Sequence, residues 1–285
     1  MSMASEPRQA RQGFTAALWT RSSLLDAALI CAVPVVLLWV FSLPAGVREA
    51  YVLDYADPTL ATIYASNFVH RSAGHLWTNL LGYAVIVPTA YLLCLFSDRR
   101  TLFRVAFPSF LLVLPVCLSA LNLIFFRQSV GFGFSGVVMG YFGLLAVALF
   151  GYLGHRTGAE VGARHSPLLF FAGIVVIAVA IAPATRASVA VSAAALAACL
   201  LYWRSLPDAG RLLAPPGDLL RGTRPGYAEL GVVGLLLFVS YPFVAFPADP
   251  FRGGAVVNLY THLLGYALGF TSAYAIQMLP GNGVD

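Results

Sequence analysis

Residues 133–153 read GFSGVVMGYFGLLAVALFGYL. The stretch carries no charged residue, and its apolar positions do not alternate with period two. As a helix it reaches about 30 Å, the thickness of a bilayer's hydrocarbon core. A lipid-facing barrel strand would be shorter and would alternate. The stretch therefore predicts a membrane-spanning helix, with Ser135 at its start between Gly133 and Gly136.

Seven further apolar segments flank it, at about 24–43, 75–96, 102–126, 167–183, 186–203, 229–247 and 255–278. The whole chain of 285 residues is 59% hydrophobic and only 10% charged. Its mean hydropathy is +0.81. A soluble domain usually carries about 25% charged residues. The fold class is an all-α polytopic membrane protein of about eight spans, so the lipid bilayer is its solvent. Residues 24–278 read as one transmembrane domain, with 1–23 and 279–285 as cytoplasmic tails. The first apolar run is longer than a signal-peptide core, so it reads as a retained span.

The net charge of +5 comes from arginine alone, since the chain has no lysine. These arginines are scattered over short loops and form no clustered basic face, so nucleic acid is not an expected partner. They fit topology control instead. With the N-terminus in the cytoplasm, twelve fall on inside segments and five on outside ones, as the positive-inside rule requires. Cys31, Cys94, Cys117 and Cys199 all lie in apolar runs without a CxxC pair, so neither a metal site nor a disulfide framework is expected. Residues 183–186 read as a tight external turn, with one long kinked helix over 167–203 as the alternative. The choice matters, because one helix fewer would send the last span in the opposite direction. Residues 44–74 mix Tyr51, Tyr55, Tyr64 and Phe68 with charges, which suits a segment at the membrane interface. Residues 204–228 form a loop rich in proline, glycine and arginine.

Reactive groups inside a membrane are costly and are functional candidates by default. Ser135 opens its span, where free N–H groups and the helix dipole favour negative charge. Taken alone, it reads as a simple helix N-cap. His75 and Asn79 are four residues apart and share a helix face near the outer end of the second span. Taken alone, they are an interfacial histidine and an interhelical asparagine. His262 lies about 10 Å below the outer boundary of the last span. Gly265 and Gly269 follow it on the same face, and Gly136, Gly140 and Gly143 make a matching stripe beside Ser135. Small-residue stripes let membrane helices approach closely, and packing these two places His262 against Ser135. No acid is placed to complete a triad. The natural reading is a Ser–His dyad with an oxyanion site from the Ser135 N–H, His75 and Asn79. Asn258, one turn before His262, is a candidate for orienting it.

This constellation resembles the rhomboid family of intramembrane serine proteases. The matching positions are His70, His75 and Asn79, then Gly133, Ser135 and Gly136 in a later span, then His262, Gly265 and Gly269 in the last. The resemblance implies a six-helix core, to which the apolar segments of this chain add two helices. It implies Ser135 as nucleophile, His262 as general base, His75 and Asn79 on the oxyanion, and His70 in support. It implies no cofactor and no metal. The substrates would be single-span or membrane-anchored proteins, cut at the outer face of what is expected to be the plasma membrane. Three features depart from the family. Three apolar segments separate the serine span from the histidine span, where the family usually has one helix. Residues 44–69 lack a Trp-Arg pair. Met139 stands one turn after the serine, where many members have a tyrosine packed on the histidine ring. Two other readings compete: a rhomboid-like pseudoprotease, which typically loses the serine or the histidine, and a small transporter, for which inverted repeats would be expected.

Overall fold

The computed structural model describes residues 13–125, 129–157, 162–182, 185–206, 225–252 and 255–279. The tail residues 1–12 and 280–285, most of the 204–228 loop, Arg127, and Pro183 and Ala184 of the expected turn lie outside the described residues. The chain is an all-α polytopic membrane protein. Among the described residues, six helices are long and apolar enough to cross a membrane. They are α2 (Leu24–Ser42), α5 (Ala73–Phe96), α6 (Arg100–Phe125), α7 (Ser135–Thr157), α9 (Arg186–Ser205) and α10 (Tyr227–Ala245). The other two apolar segments are also helical, as the 16-residue α8 (Ser166–Ile181) and the 20-residue α11 (Leu259–Met278). Among the described residues, the short helices α1 (Phe14–Arg21), α3 (Ala45–Glu49) and α4 (Leu60–Ala65) complete the set.

Helix α7 is the hub. Its spanning window is 89% buried, against 11% for α9. The quoted stretch is apolar on every side because α5, α6, α8, α10 and α11 surround it. Prolines inside α2, α5, α6 and α10 are tolerated because neighbouring helices shield the freed backbone.

Helices α8 and α9 are separate and antiparallel. The Cys199 thiol lies 3.8 Å from the Leu168 carbonyl, and the Tyr202 hydroxyl donates to the Arg164 carbonyl, so later residues of α9 meet earlier ones of α8. Thr185 caps α9 by accepting from Ser188 N at 3.1 Å. The segment is therefore two helices and not a single kinked one.

The polar segment 44–74 does not span. It folds as α3, strand β1 (Leu53–Asp54), α4 and a 3-10 turn over Ser66–Phe68. Strand β1 pairs antiparallel with β2 (Val130–Gly131), matching Leu53 with Gly131 and Asp54 with Val130. This ties the segment to the residues just before Ser135. At the opposite end of the bundle, Asp26 of α2 is buried and accepts from Arg104 Nε of α6 at 2.8 Å and from the Tyr91 hydroxyl of α5 at 3.1 Å. One carboxylate thus joins three helices.

Candidate active site

The turn carrying Ser135 is built from backbone. Gly133 has φ +105°, a conformation that side chains resist. Its N–H donates to the Ser66 carbonyl at 3.0 Å, and Tyr55 N donates to the Ser129 carbonyl at 3.1 Å. Helix α7 then starts abruptly, with Val137 N and Val138 N both donating to the Phe134 carbonyl at 3.1 Å. The N–H groups of Ser135 and Gly136 precede the first intrahelical bond, where a helix has no acceptor of its own for them. Ser135 itself is half-buried.

The glycine stripes meet as expected. A Cβ on Gly265 would strike the Gly136 carbonyl oxygen and come within 3.0 Å of Met139 Cβ. One on Gly269 would strike Gly140, and one on Gly143 would strike the Tyr266–Phe270 backbone. Gly136 faces Gly265 and Gly140 faces Gly269, so α7 and α11 run parallel with main chain against main chain. Ser135 lies one residue before Gly136, and His262 three before Gly265. The axial offset between Ser135 and His262 is therefore about 3 Å.

His262 is buried, and its Nδ1 lies 2.6 Å from the Ala245 carbonyl oxygen. A carbonyl only accepts, so Nδ1 carries the proton and Nε2 keeps its lone pair. Ala245 can supply this acceptor because it ends α10, where the last carbonyls have no intrahelical donor. Phe246 packs edge-on against the imidazole at 5.8 Å. It provides an aromatic contact that Met139 does not. Among the described residues, no hydrogen bond joins the Ser135 hydroxyl to the ring. Such bonds commonly tighten only when substrate is bound.

His75 is brought to the serine turn, because its ring fills the space where a Gly133 Cβ would stand. It also meets the rings of His70 at 5.0 Å and Phe132 at 5.7 Å. Asn79 is buried, and its amide nitrogen lies 2.7 Å from His70 Nε2. That amide carries two hydrogens, so one goes to His70 and one remains. His70 sits outside the spans and is fully enclosed. Burial, followed by the neighbouring His75 and Arg48 charges, outweighs the Phe68 backbone and holds its pKa down at about 3. The ring is thus neutral, and it fixes Asn79 by accepting its hydrogen.

Asn258 does not orient the His262 ring. It caps α11, accepting from Thr261 N at 3.0 Å, and donates to Asn122 Oδ1 of α6 at 2.8 Å. Thr261 Oγ1 donates to the same oxygen at 3.0 Å. The Thr261 methyl group lies where a Gly136 Cβ would stand. Tyr55 bonds Asn258 from the other side, and burial raises its pKa more than this bond lowers it. The network fixes the first turn of α11, and so the height of His262.

The structure therefore packs Gly136 on Gly265 and Gly140 on Gly269, with Ser135 and His262 at the same end of that seam, sets Gly133 and His75 together on the turn, and gives Asn79 to His70. Reading the sequence missed Ala245, Phe246 and Asn122. A backbone acceptor has no residue signature, and an apolar helix end gives no sign of which ring it meets. Asn122 was detectable as an asparagine inside an apolar run. Among the described residues no group of three or more His, Cys, Asp or Glu is placed to hold a metal ion. Compared with protein-family models, with curated proteins and with solved structures, the chain matches none.

Proposed function

We propose that the chain is a rhomboid-type intramembrane serine endopeptidase. It would have eight spans, six forming the core and α8–α9 an added pair. In this reading the N-terminus faces the cytoplasm of a plasma-membrane protein and the Ser135 end opens outward. Both ends of the α8–α9 pair lie on the same side, so an added pair leaves the direction of α11 unchanged. The observation that carries the reading is the seam of α7 and α11. It aligns Ser135 and His262 in depth while Ala245 leaves Nε2 of His262 able to accept a proton.

In the mechanism, the Ser135 hydroxyl oxygen attacks the scissile carbonyl and its proton passes to His262 Nε2. The tetrahedral oxyanion receives hydrogen bonds from the Ser135 N–H, the second Asn79 hydrogen and His75. Collapse expels the amine, which takes the proton from His262. Water, deprotonated by the same nitrogen, then hydrolyses the acyl-enzyme. The expected substrates are single-span or membrane-anchored proteins.

Labelling with a fluorophosphonate probe tests the reading. Wild type should label, while Ser135→Ala and His262→Ala should not, and neither variant should cleave a co-expressed single-span reporter. Labelling that persists without Ser135 refutes the assignment. A non-cleaving binder of transmembrane helices is the second reading, favoured by the missing hydroxyl–imidazole bond; an unlabelled but folded wild type would select it.

A further inference from the structure

Beside the serine turn lies a recess of about 250 Å³, lined by Ala45, Arg48, Glu49 and Arg71. The two arginines are held differently. Arg71 forms a two-pronged pair with Glu49, its Nε donating to Oε2 at 3.0 Å and its Nη2 to Oε1. Its guanidinium also covers the Phe132 ring at 4.7 Å. Phe132 in turn meets His75 edge-on. Arg48 lies 4.6 Å over Phe41, and its Nη1 donates to the His70 carbonyl. Its Nε is shielded from solvent and has no partner.

The recess thus has two positive charges and one negative. Planar guanidinium forks select carboxylates, and Glu49 already shows the pose on Arg71. The surplus charge calls for one more anion. Its position favours a peptide over a lipid. Arg71 immediately follows His70, and through Phe132 and His75 it is continuous with the turn that carries Ser135. A chain laid across that turn has its flanking residues here.

We propose that the recess receives an acidic side chain of the substrate, next to the outer end of its membrane span. The incoming carboxylate takes Glu49's place on Arg71 and engages Arg48. This selects membrane proteins with Asp or Glu at that flank, and it rests on the protease reading of the neighbouring site. Displacement also frees Arg71 from Glu49, so Glu49 acts as an internal competitor for the site.

The test uses the full chain in phosphatidylcholine nanodiscs and single-span reporters with Glu, Gln or Arg at the outer flank. Binding is read by fluorescence on the Ser135→Ala variant, and cleavage on the wild type. The Glu reporter should bind about tenfold more tightly than the Gln reporter, the size of a partly exposed charge-assisted pair. Arg48→Gln and Arg71→Gln should each bring that ratio close to one. Arg71→Glu should reverse it in favour of the Arg reporter, and Glu49→Gln should raise it. A wild-type ratio within twofold, or a ratio that survives both arginine substitutions, overturns the proposal. So does a pair of arginine variants that lose binding of phosphatidylglycerol but not of the Glu reporter, since the occupant is then a lipid phosphate. Charge-dependent binding without any cleavage supports the recess and removes the protease reading. Cleavage without charge dependence does the reverse.

Discussion

Replacing Gly269 by alanine adds one methyl group about two turns below His262, at a position that touches no candidate catalytic side chain. The added Cβ would lie 2.5 Å from Gly140 Cα and 2.6 Å from its carbonyl carbon. Ordinary carbon–carbon contact is about 3.5–4.0 Å. Both obstacles are main chain, so no rotamer change relieves them, and α7 and α11 must separate by about 1 Å. Overpacking of this kind costs about 1–3 kcal/mol. A 1 Å misplacement of reacting groups can cost about a hundredfold in rate. Gly269→Ala should therefore lower reporter cleavage by roughly one to two orders of magnitude, while the protein still folds with a reduced melting temperature. Gly46→Ala is the control, since its Cβ would meet nothing within 4 Å. Cleavage rates would be measured on purified protein alongside thermal unfolding. Gly269→Ala activity within twofold of wild type would refute the claim that the glycine seam sets the dyad.

Three further perturbations have defined outcomes. His70 holds a pKa of about 3 when folded against an ordinary value of 6.5, so the unfolded chain binds the extra proton between these values. The stabilisation is present in full well above pH 6.5 and is lost as pH falls toward 3, the loss reaching about 2 kcal/mol at pH 5. Melting of wild type should therefore drop between pH 7.5 and 5 more than that of His70→Gln, and equal drops would refute this role. Asp26→Asn should cost about 1–2 kcal/mol by thermal unfolding, a modest value because Arg104 is half-exposed. The double variant with Arg104→Leu should lose little more, and additive losses would show that the two do not act as a pair. Asn122→Ala leaves Asn258 and Thr261 without their shared acceptor. It should lower kcat several-fold with KM unchanged, and a pure KM effect would contradict its role in placing α11.

The helices were legible because lipid imposes the longest-range rule in the chain: each apolar run of sufficient length became a helix within a few residues of its expected bounds. The α7–α11 seam was legible for a related reason, since glycines spaced four apart on two helices have few uses other than close approach. The surroundings of Ser135 and His262 were not. Strands β1 and β2 are two residues each, too short to carry any alternation, yet they clamp the serine turn to the 44–74 segment. His75 and Asn79 could be placed on one helix face, but the spacing did not show that Asn79 would be held by His70. Asn258 was singled out for its distance from His262, but a side chain one turn before a helical residue is also at its cap, and the cap won.

The hydrogen bond from His262 to Ala245 has a genetic consequence. Where a carboxylate orients a catalytic imidazole, one codon change can remove it. Here the acceptor is a peptide oxygen that all twenty residues possess, so it is written in no codon. A mutational scan would rank position 245 by the bulk it tolerates and would overlook that its main chain sets the tautomer of His262. The sensitive changes would fall instead on what ends α10 at that residue, such as Pro247, which disfavours helical geometry at Phe246, where φ is −122° and ψ 67°.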